Sequence, residues 1–299
     1  MPYIFSRSQT FFTHLSGFTD NSTMSTSENT RQSLAFIGGG NMASAVIGGL
    51  IKQGTPAHRI LVVEPFEESR QRLASQYDVR VLASADYTLS EAGLVIWAVK
   101  PQTFKVAAEQ TKAFCAQALH LSVAAGIRSD SIASWLDSDR VVRAMPNTPA
   151  LVGLGQTGLF ARAAVTASDK TWIEQVIATT GALLWVKDEP LLDAVTAISG
   201  SGPAYVFFFI EAMVEAGVKM GLSPEQATQL AIGTFEGASQ LAKTASEPPS
   251  VLRERVTSKG GTTYAALTFM QQTHVGELFQ AALEAAQHRA HELGNEFGS

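Results

Sequence analysis

Cysteine is nearly missing from this chain. Cys115 stands alone among 299 residues, so no intrachain disulfide can form and no cysteine-rich metal site can be built. Such usage suits a reducing cytoplasm. The six histidines are scattered without a His-x-x-x-His spacing, and no Cys-x-x-Cys occurs, which removes the usual zinc frameworks. Long basic runs are absent and the formal charge is -5, an electrostatic footprint that argues against nucleic acid as the main partner. No apolar run approaches the roughly 20 residues of a membrane span. The aromatic cluster at Phe11-Phe12 is too short and too polar-flanked for a secretory signal. A single arginine, Arg7, precedes Asp20, too few cations for a transit peptide. Residues 1–32 are rich in Ser and Thr without periodicity, and they read as a disordered tail in which Met24 is an alternative start.

What the chain does have is glycine in a particular place. Four apolar residues, Leu34-Ala35-Phe36-Ile37, run into Gly38-Gly39-Gly40-Asn41-Met42, and Ala43 opens a helical pattern with Val46, Ile47 and Leu50. Gly38-x-Gly40-x-x-Ala43 has the spacing of a dinucleotide-binding turn. Gly38 permits the tight turn, Gly40 leaves room for a pyrophosphate, and Ala43 lets helix and strand pack closely. Free N–H groups at the helix start then face the anion.

Further apolar runs follow: Ile60-Leu61-Val62-Val63, the short Val79-Arg80-Val81, Leu94-Val95-Ile96-Trp97-Ala98-Val99, Leu119-His120-Leu121-Ser122-Val123 and Val141-Val142-Arg143-Ala144-Met145. Helical patterns separate most of them. Continuous apolar strands alternating with helices predict a Rossmann-like parallel sheet covered on both faces. Leu159-Phe160-Ala161 and Leu183-Leu184-Trp185-Val186 extend it. From residue 190 strand signals stop, and Ala, Gly, Leu and Glu recur at helical spacing through 204–220, 224–241 and 276–293. The expected organisation is therefore a dinucleotide-binding domain over 33–189 followed by an all-helical domain over 190–299. Gly217, Gly221, Gly233 and Gly237 would allow close helix packing. The apolar faces are too extensive for one small bundle, which predicts burial against a second subunit.

In an open α/β sheet, ligands bind beyond the carboxyl ends of the strands. Those ends give Gly38 to Met42, then Ala98-Val99-Lys100-Pro101, then Ala124-Ala125-Gly126, small enough to admit a flat ring, then Met145-Pro146-Asn147-Thr148-Pro149. Lys100 fits either a cofactor edge or an ordinary surface charge. In the helical part, Ser258-Lys259-Gly260-Gly261-Thr262-Thr263 reads as a glycine turn into a capped helix. It fits a carboxylate-binding turn and an ordinary N-cap alike.

Taken in order, Ile37 to Met42, Ala98 to Pro101, Arg143 to Pro149, Ile198-Ser199-Gly200-Ser201-Gly202-Pro203-Ala204-Tyr205 and Val256 to Thr263 resemble the pyrroline-5-carboxylate reductases, the enzymes that complete proline synthesis. The resemblance runs from Leu34 to the C-terminus. It implies reduction of the imine of 1-pyrroline-5-carboxylate to L-proline by NADPH or NADH, in a homodimer or a larger ring of dimers. It places Ile37, Gly38, Gly39, Gly40, Asn41 and Met42 at the pyrophosphate and Ala98, Val99, Lys100, Pro101, Ala124, Ala125 and Gly126 along the cofactor. Asn147 would lie near the nicotinamide. Ser258, Gly261 and Thr262 would hold the substrate carboxylate, the Thr263 hydroxyl would face the ring nitrogen, and Glu247 matches an acid that contacts that nitrogen.

Three positions depart from the family pattern. Lys259 replaces a proline, the chain is one residue short near Glu247, and Ala85 stands where an asparagine is common. Glu64, at the end of the second strand, occupies the place where an acid reads the ribose of NADH. Ala43 and the family habit point instead to NADPH. Two other functions use the same scaffold. A β-hydroxyacid dehydrogenase would need a catalytic lysine in the helical part, and neither Lys219 nor Lys243 has the surrounding motif. A non-catalytic nicotinamide sensor would not need the threonine turn.

Overall fold

The computed structural model describes residues 33–298. The expectations for the tail lie outside the described residues. Eight strands form one sheet in the order β3-β2-β1-β4-β5-β6-β7-β8. They are β1 (Leu34–Ile37), β2 (Ile60–Val63), β3 (Arg80–Leu82), β4 (Leu94–Trp97), β5 (Leu119–Ser122), β6 (Val141–Met145), β7 (Gly155–Ala161) and β8 (Gly181–Trp185). Helices α1 (Asn41–Lys52), α2 (Glu67–Tyr77), α3 (Pro101–Thr111), α4 (Ser129–Leu136) and α5 (Ala167–Ile177) connect them.

Strand alternation sorts the side chains onto two cores. Leu34 and Phe36 meet Val46, Ile47 and Leu50 of α1 and Ile173 of α5. Ala35, Ile37 and Trp97 meet Phe104 of α3 and Ile132 of α4 on the other face. Phe36, Trp97 and Phe104 are wholly buried, each contributing about 1.5–3 kcal/mol by removal from water. This is why the strands read as unbroken apolar runs.

One part of the expectation is corrected. β7 runs antiparallel to β6, pairing Arg143 with Phe160 and Met145 with Gly158, while β8 is parallel to β7. The segment between β6 and β7 holds only a short 3-10 turn, Thr148–Val152, and a parallel return needs a crossover of a dozen or more residues. The sheet is therefore mixed at this edge.

The second core contains a titratable group without a full set of partners. His120 on β5 is 1% exposed. Its Nδ1 accepts from Trp97 Nε1 at 3.3 Å, and its Nε2 has no partner among the described residues. Burial, helped by the charge of Arg140, pushes this imidazole down to about 4. The folded pKa lies below the unfolded value, so the contribution is complete above pH ~6.5 and is lost as pH falls toward 4, by at most about 3 kcal/mol. Denaturation midpoints at pH 7 and pH 4 should therefore differ less in His120→Asn, which keeps an acceptor for Trp97, than in the parent. Equal differences would remove His120 from the acid response.

After β8 the chain is helical: α6 (Leu191–Val195), a π turn (Thr196–Gly200), α7 (Gly202–Lys219), α8 (Pro224–Thr244), α9 (Pro249–Arg255), α10 (Thr262–Gln272) and α11 (Val275–Glu296). Ser223 and Gln226 form a reciprocal capping box before Pro224. Gly217 does let α7 and α8 approach, since a Cβ there would lie 2.9 Å from that of Ala227. Gly221 serves differently: its φ of 101° ends α7. Gly233 and Gly237 have no neighbour within 4 Å that a Cβ would meet, so neither packs a helix among the described residues.

Little of this helical region is covered. Phe207, Phe208, Leu230, Leu241, Phe269 and Leu278 are each more than half exposed. Leu191–Lys219 is a 29-residue stretch containing an 18-residue window with a mean hydropathy of 1.4, long and apolar enough to cross a membrane by length and composition. That corrects the reading of short apolar runs, because α6, the π turn and α7 join into one helical stretch. The end of α11 returns to the sheet: Arg128 donates to Asn295 at 3.0 Å and Ser131 to the Gly298 carbonyl at 2.9 Å.

Candidate active site

Strand register brings the ends of β1, β2 and β4 level, with Ile37 opposite Val63 on one side and Trp97 on the other. Gly38 N–H donates to the Val63 carbonyl and Ala98 N–H to the Ile37 carbonyl, both at 2.8 Å. Beyond these ends opens a cleft of about 740 Å³. Ile37, Gly38, Gly39, Gly40, Glu64, Ala98, Val99 and Lys100 line it.

The three glycines are required for different reasons. Gly38 has φ 95°, and a Cβ there would sit 2.6 Å from the Ala98 carbonyl oxygen. A Cβ on Gly39 would lie 2.5 Å from Leu73 Cδ1. At Gly40 a Cβ meets nothing within 4 Å. Gly40 is also the N-cap of α1, without a side-chain cap and without an acidic residue in the first turn. The helix start is thus open, electropositive and unblocked, and Asn41 and half-buried Met42 form its first turn. This cradle fits a dinucleotide pyrophosphate.

Glu64 is buried beside the cradle, 6% exposed. Its Oε2 accepts from Gly39 N–H at 2.7 Å and its Oε1 from Phe66 N–H at 3.0 Å. Arg72, which the sequence reading passed over, donates to the Gly39 carbonyl at 3.0 Å and to Ser44 Oγ at 3.2 Å. No short motif announced it, because it lies 33 residues from its partner. Phe66, Ser69, Ser84 and Thr103 also line the cleft without a sequence signal. Lys100 is an exposed cleft residue and caps α3, where Pro101 begins the helix.

Other expected residues lie elsewhere. The Asn147 amide is used inside the protein, donating to the Ser199 carbonyl at 3.0 Å and accepting from Gln156 N–H at 2.9 Å. It braces the β6–β7 loop against the π turn. Gly126, with φ 72°, lies against α11, where a Cβ would be 3.1 Å from Leu293 Cβ and 3.3 Å from Phe297 Cδ2. The missing Cβ makes room for the C-terminal helix. Ala124 is buried and Ala125 exposed, and none of these three lines the cleft.

The second cluster is surface-facing. Gly261 is the N-cap of α10 with no side-chain cap, and Thr262 and Thr263 begin the helix. The expected hydroxyl cap is therefore not formed. Ser258 Oγ would contact a Cβ on Gly261 at 2.6 Å, which explains glycine there. Ser258, Lys259 and Thr262 are exposed and Thr263 half-buried. Glu247 pairs with Arg255 at 2.5 Å. Neither Glu247 nor any residue of 258–263 lines the cleft within one chain. Among the described residues no group of His, Cys, Asp and Glu could hold a metal ion.

Comparisons with known proteins cover both clusters. A family model for pyrroline-5-carboxylate reductase dimerisation matches residues 189–293. A model for NADP oxidoreductase, coenzyme F420-dependent, matches residues 33–126. The pyrroline-5-carboxylate reductase of Pseudomonas aeruginosa is 43% identical over 267 residues, covering 89% of this chain and 98% of that protein. The Haemophilus influenzae enzyme of the same name is 41% identical, covering 87% and 97%. Among solved structures, a pyrroline-5-carboxylate reductase from Coxiella burnetii superposes with a TM-score of 0.82 at 36% identity, covering 88% of this chain and 98% of that one. The Plasmodium falciparum pyrroline carboxylate reductase with NADP bound superposes at 0.78 and 27% identity, covering 88% and 98%.

A glycine cradle at the head of a mostly parallel sheet, followed by a helical dimerisation region, defines a two-part nicotinamide oxidoreductase. This chain belongs to the pyrroline-5-carboxylate reductase family.

Proposed function

We propose that the chain reduces the imine of 1-pyrroline-5-carboxylate to L-proline with NADPH or NADH, as the last step of proline synthesis. The observation that carries this reading is the alignment along 89% of the chain with a reductase of that name. The family models take in the glycine cradle at one end and the threonine turn at the other.

When bound, a reduced nicotinamide supplies the hydride. Gly40 and the first turn of α1 hold the pyrophosphate, and Ala98, Val99 and Lys100 line the path from β4. Ser258, Gly261 and Thr262 hold the substrate carboxylate through hydroxyls and the open N-terminus of α10. Thr263 hydrogen-bonds the ring nitrogen. A protonated imine carries its own proton and needs only a neutral group to orient it. The hydride adds to the imine carbon, the C=N electron pair goes to nitrogen, and the ring becomes a secondary amine. Catalysis is mostly positioning. Glu247, held by Arg255, faces the same turn in this reading.

The cleft and the threonine turn lie in separate parts of one chain. A second subunit, packed on the exposed faces of α7 and α8, would bring them together. We therefore place the active site at the boundary of a homodimer, with the unit boundary near residue 190 and a cytoplasmic location. A fully active monomer by mass in solution would contradict this.

Thr263→Val removes a hydroxyl at nearly constant volume. One hydrogen bond to a charged or polarised group contributes about 1.5–3 kcal/mol, so turnover should fall about ten- to a hundredfold with dinucleotide binding unchanged. Steady-state kinetics beside a binding titration check this, and an unaltered kcat would remove Thr263 from the chemistry.

A further inference from the structure

Among the described residues, two arginines lie close to the adenosine end of the cleft, and both hydrogen-bond protein groups. Arg70 donates from Nη1 to the carbonyls of Glu64 and Pro65 at 2.8 and 2.7 Å and from Nη2 to the Glu67 carboxylate. Arg72 is bound to the glycine loop through the Gly39 carbonyl and to Ser44. Lys100 is the one cationic residue that lines the cleft among the described residues. It sits at the end of β4, two strands from Glu64 on β2, and neighbouring strands lie roughly 4.8 Å apart. That separation of about 10 Å is already a Debye length at moderate salt.

The negative charge is placed oppositely. Glu64 lines the cleft with its carboxylate nearly withdrawn from water. It is held there by two backbone N–H groups, and each oxygen keeps a further lone pair for a ribose hydroxyl. Glu67 and Glu68 follow in the first turn of α2.

Resting on the reading of this cleft as a dinucleotide site, we propose that Glu64 makes the protein select NAD(H) over NADP(H), and that the same carboxylate locks the glycine loop. Two ribose hydroxyls complete its hydrogen bonds. A phosphate carrying nearly two negative charges meets an unscreened carboxylate instead. Specificity and loop geometry are thus joined in one side chain. Simple removal of the carboxylate releases Gly39 and Phe66 as well as the discrimination.

The test is direct binding of NAD+ and NADP+ to the whole protein by calorimetry, with thermal shift as a second readout. The parent should bind NAD+ at least tenfold more tightly. Glu64→Gln should narrow that ratio at least tenfold while weakening NAD+, since an amide N–H then opposes a backbone donor. Ser69→Arg leaves the Glu64 hydrogen bonds in place and adds a cation to the cleft edge; it should tighten NADP+ at least tenfold and alter NAD+ less than threefold. A parent that prefers NADP+, or a ratio unmoved in both variants, would overturn the inference while leaving the reductase reading intact. Binding of neither dinucleotide would overturn both.

Discussion

Gly38→Ala is expected to cost the protein both stability and its dinucleotide, whereas Gly40→Ala costs only the dinucleotide. At Gly38 the backbone is left-handed, with φ 95°, which an alanine adopts at a cost of roughly 1–2 kcal/mol. Its methyl would also fall 2.6 Å from the Ala98 carbonyl oxygen and 3.0 Å from Val99 Cγ1. Backbone cannot yield as a flexible side chain does, so the β1–α1 turn must move away from β4. Because Gly38 N–H is bonded to Val63 and Ala98 N–H to Ile37, that movement disturbs three strand ends together. Dinucleotide affinity should fall at least about a hundredfold, some 2.7 kcal/mol. At Gly40, φ is -73° and the added methyl meets no protein atom within 4 Å. The fold should lose no more than about 1 kcal/mol, the cost of a poorer N-cap. The methyl then occupies space the pyrophosphate needs, and affinity should fall about tenfold or more. Melting without ligand, beside binding titrations, separates the two cases. Equal melting losses in the two variants would show that the glycines do not divide the work in this way.

Glu189→Ala should be the most destabilising single change away from the cleft. Glu189 follows β8 and reaches back into the sheet domain. Its Oε1 accepts from Arg143 Nη1 and from Ser129 N–H, both at 2.6 Å, and its Oε2 from Ser129 Oγ at 2.5 Å. The Arg143 side chain is only 10% exposed. Removing the carboxylate leaves a buried guanidinium unpaired and an α4 N–H unsatisfied, a defect worth about 3–5 kcal/mol. Replacing both partners, as Arg143→Met with Glu189→Leu, should recover most of that loss, because two well-packed apolar groups carry no desolvation penalty. Urea midpoints of the single and double variants decide it. A single variant within 1 kcal/mol of the parent would mean that the pair holds nothing.

What could be read from the sequence was what depends on neighbours along the chain. The glycine cradle, the strand end at Val63 and the Ser223 cap all follow from a few consecutive residues and stand where expected, whereas β4 ends at Trp97, two residues before Val99. The hydrogen bond of Asn147 to Ser199, 52 residues away, is one that no local pattern shows. The packing of the last helix beside Gly126 likewise has no local signal. The reversal of β7 could be argued from the shortness of the segment before it, but apolar pattern alone carries no strand direction. Glu64 was placed correctly at the strand end. Its grip on Gly39 across 25 residues came only with the fold. The helical region shows the same limit, since the apolar surface of α7 and α8 announces a partner without fixing how it packs.

The most direct test of the central claim is spectrophotometric. Purified protein is mixed with NADH, or separately with NADPH, and 1-pyrroline-5-carboxylate is added while absorbance of the reduced nicotinamide is followed and proline is assayed. The account predicts loss of the reduced dinucleotide with stoichiometric appearance of L-proline, and a strongly reduced rate in Thr263→Val. Binding of the dinucleotide with no oxidation on adding the imine would contradict it and leave a nicotinamide-binding protein of another kind.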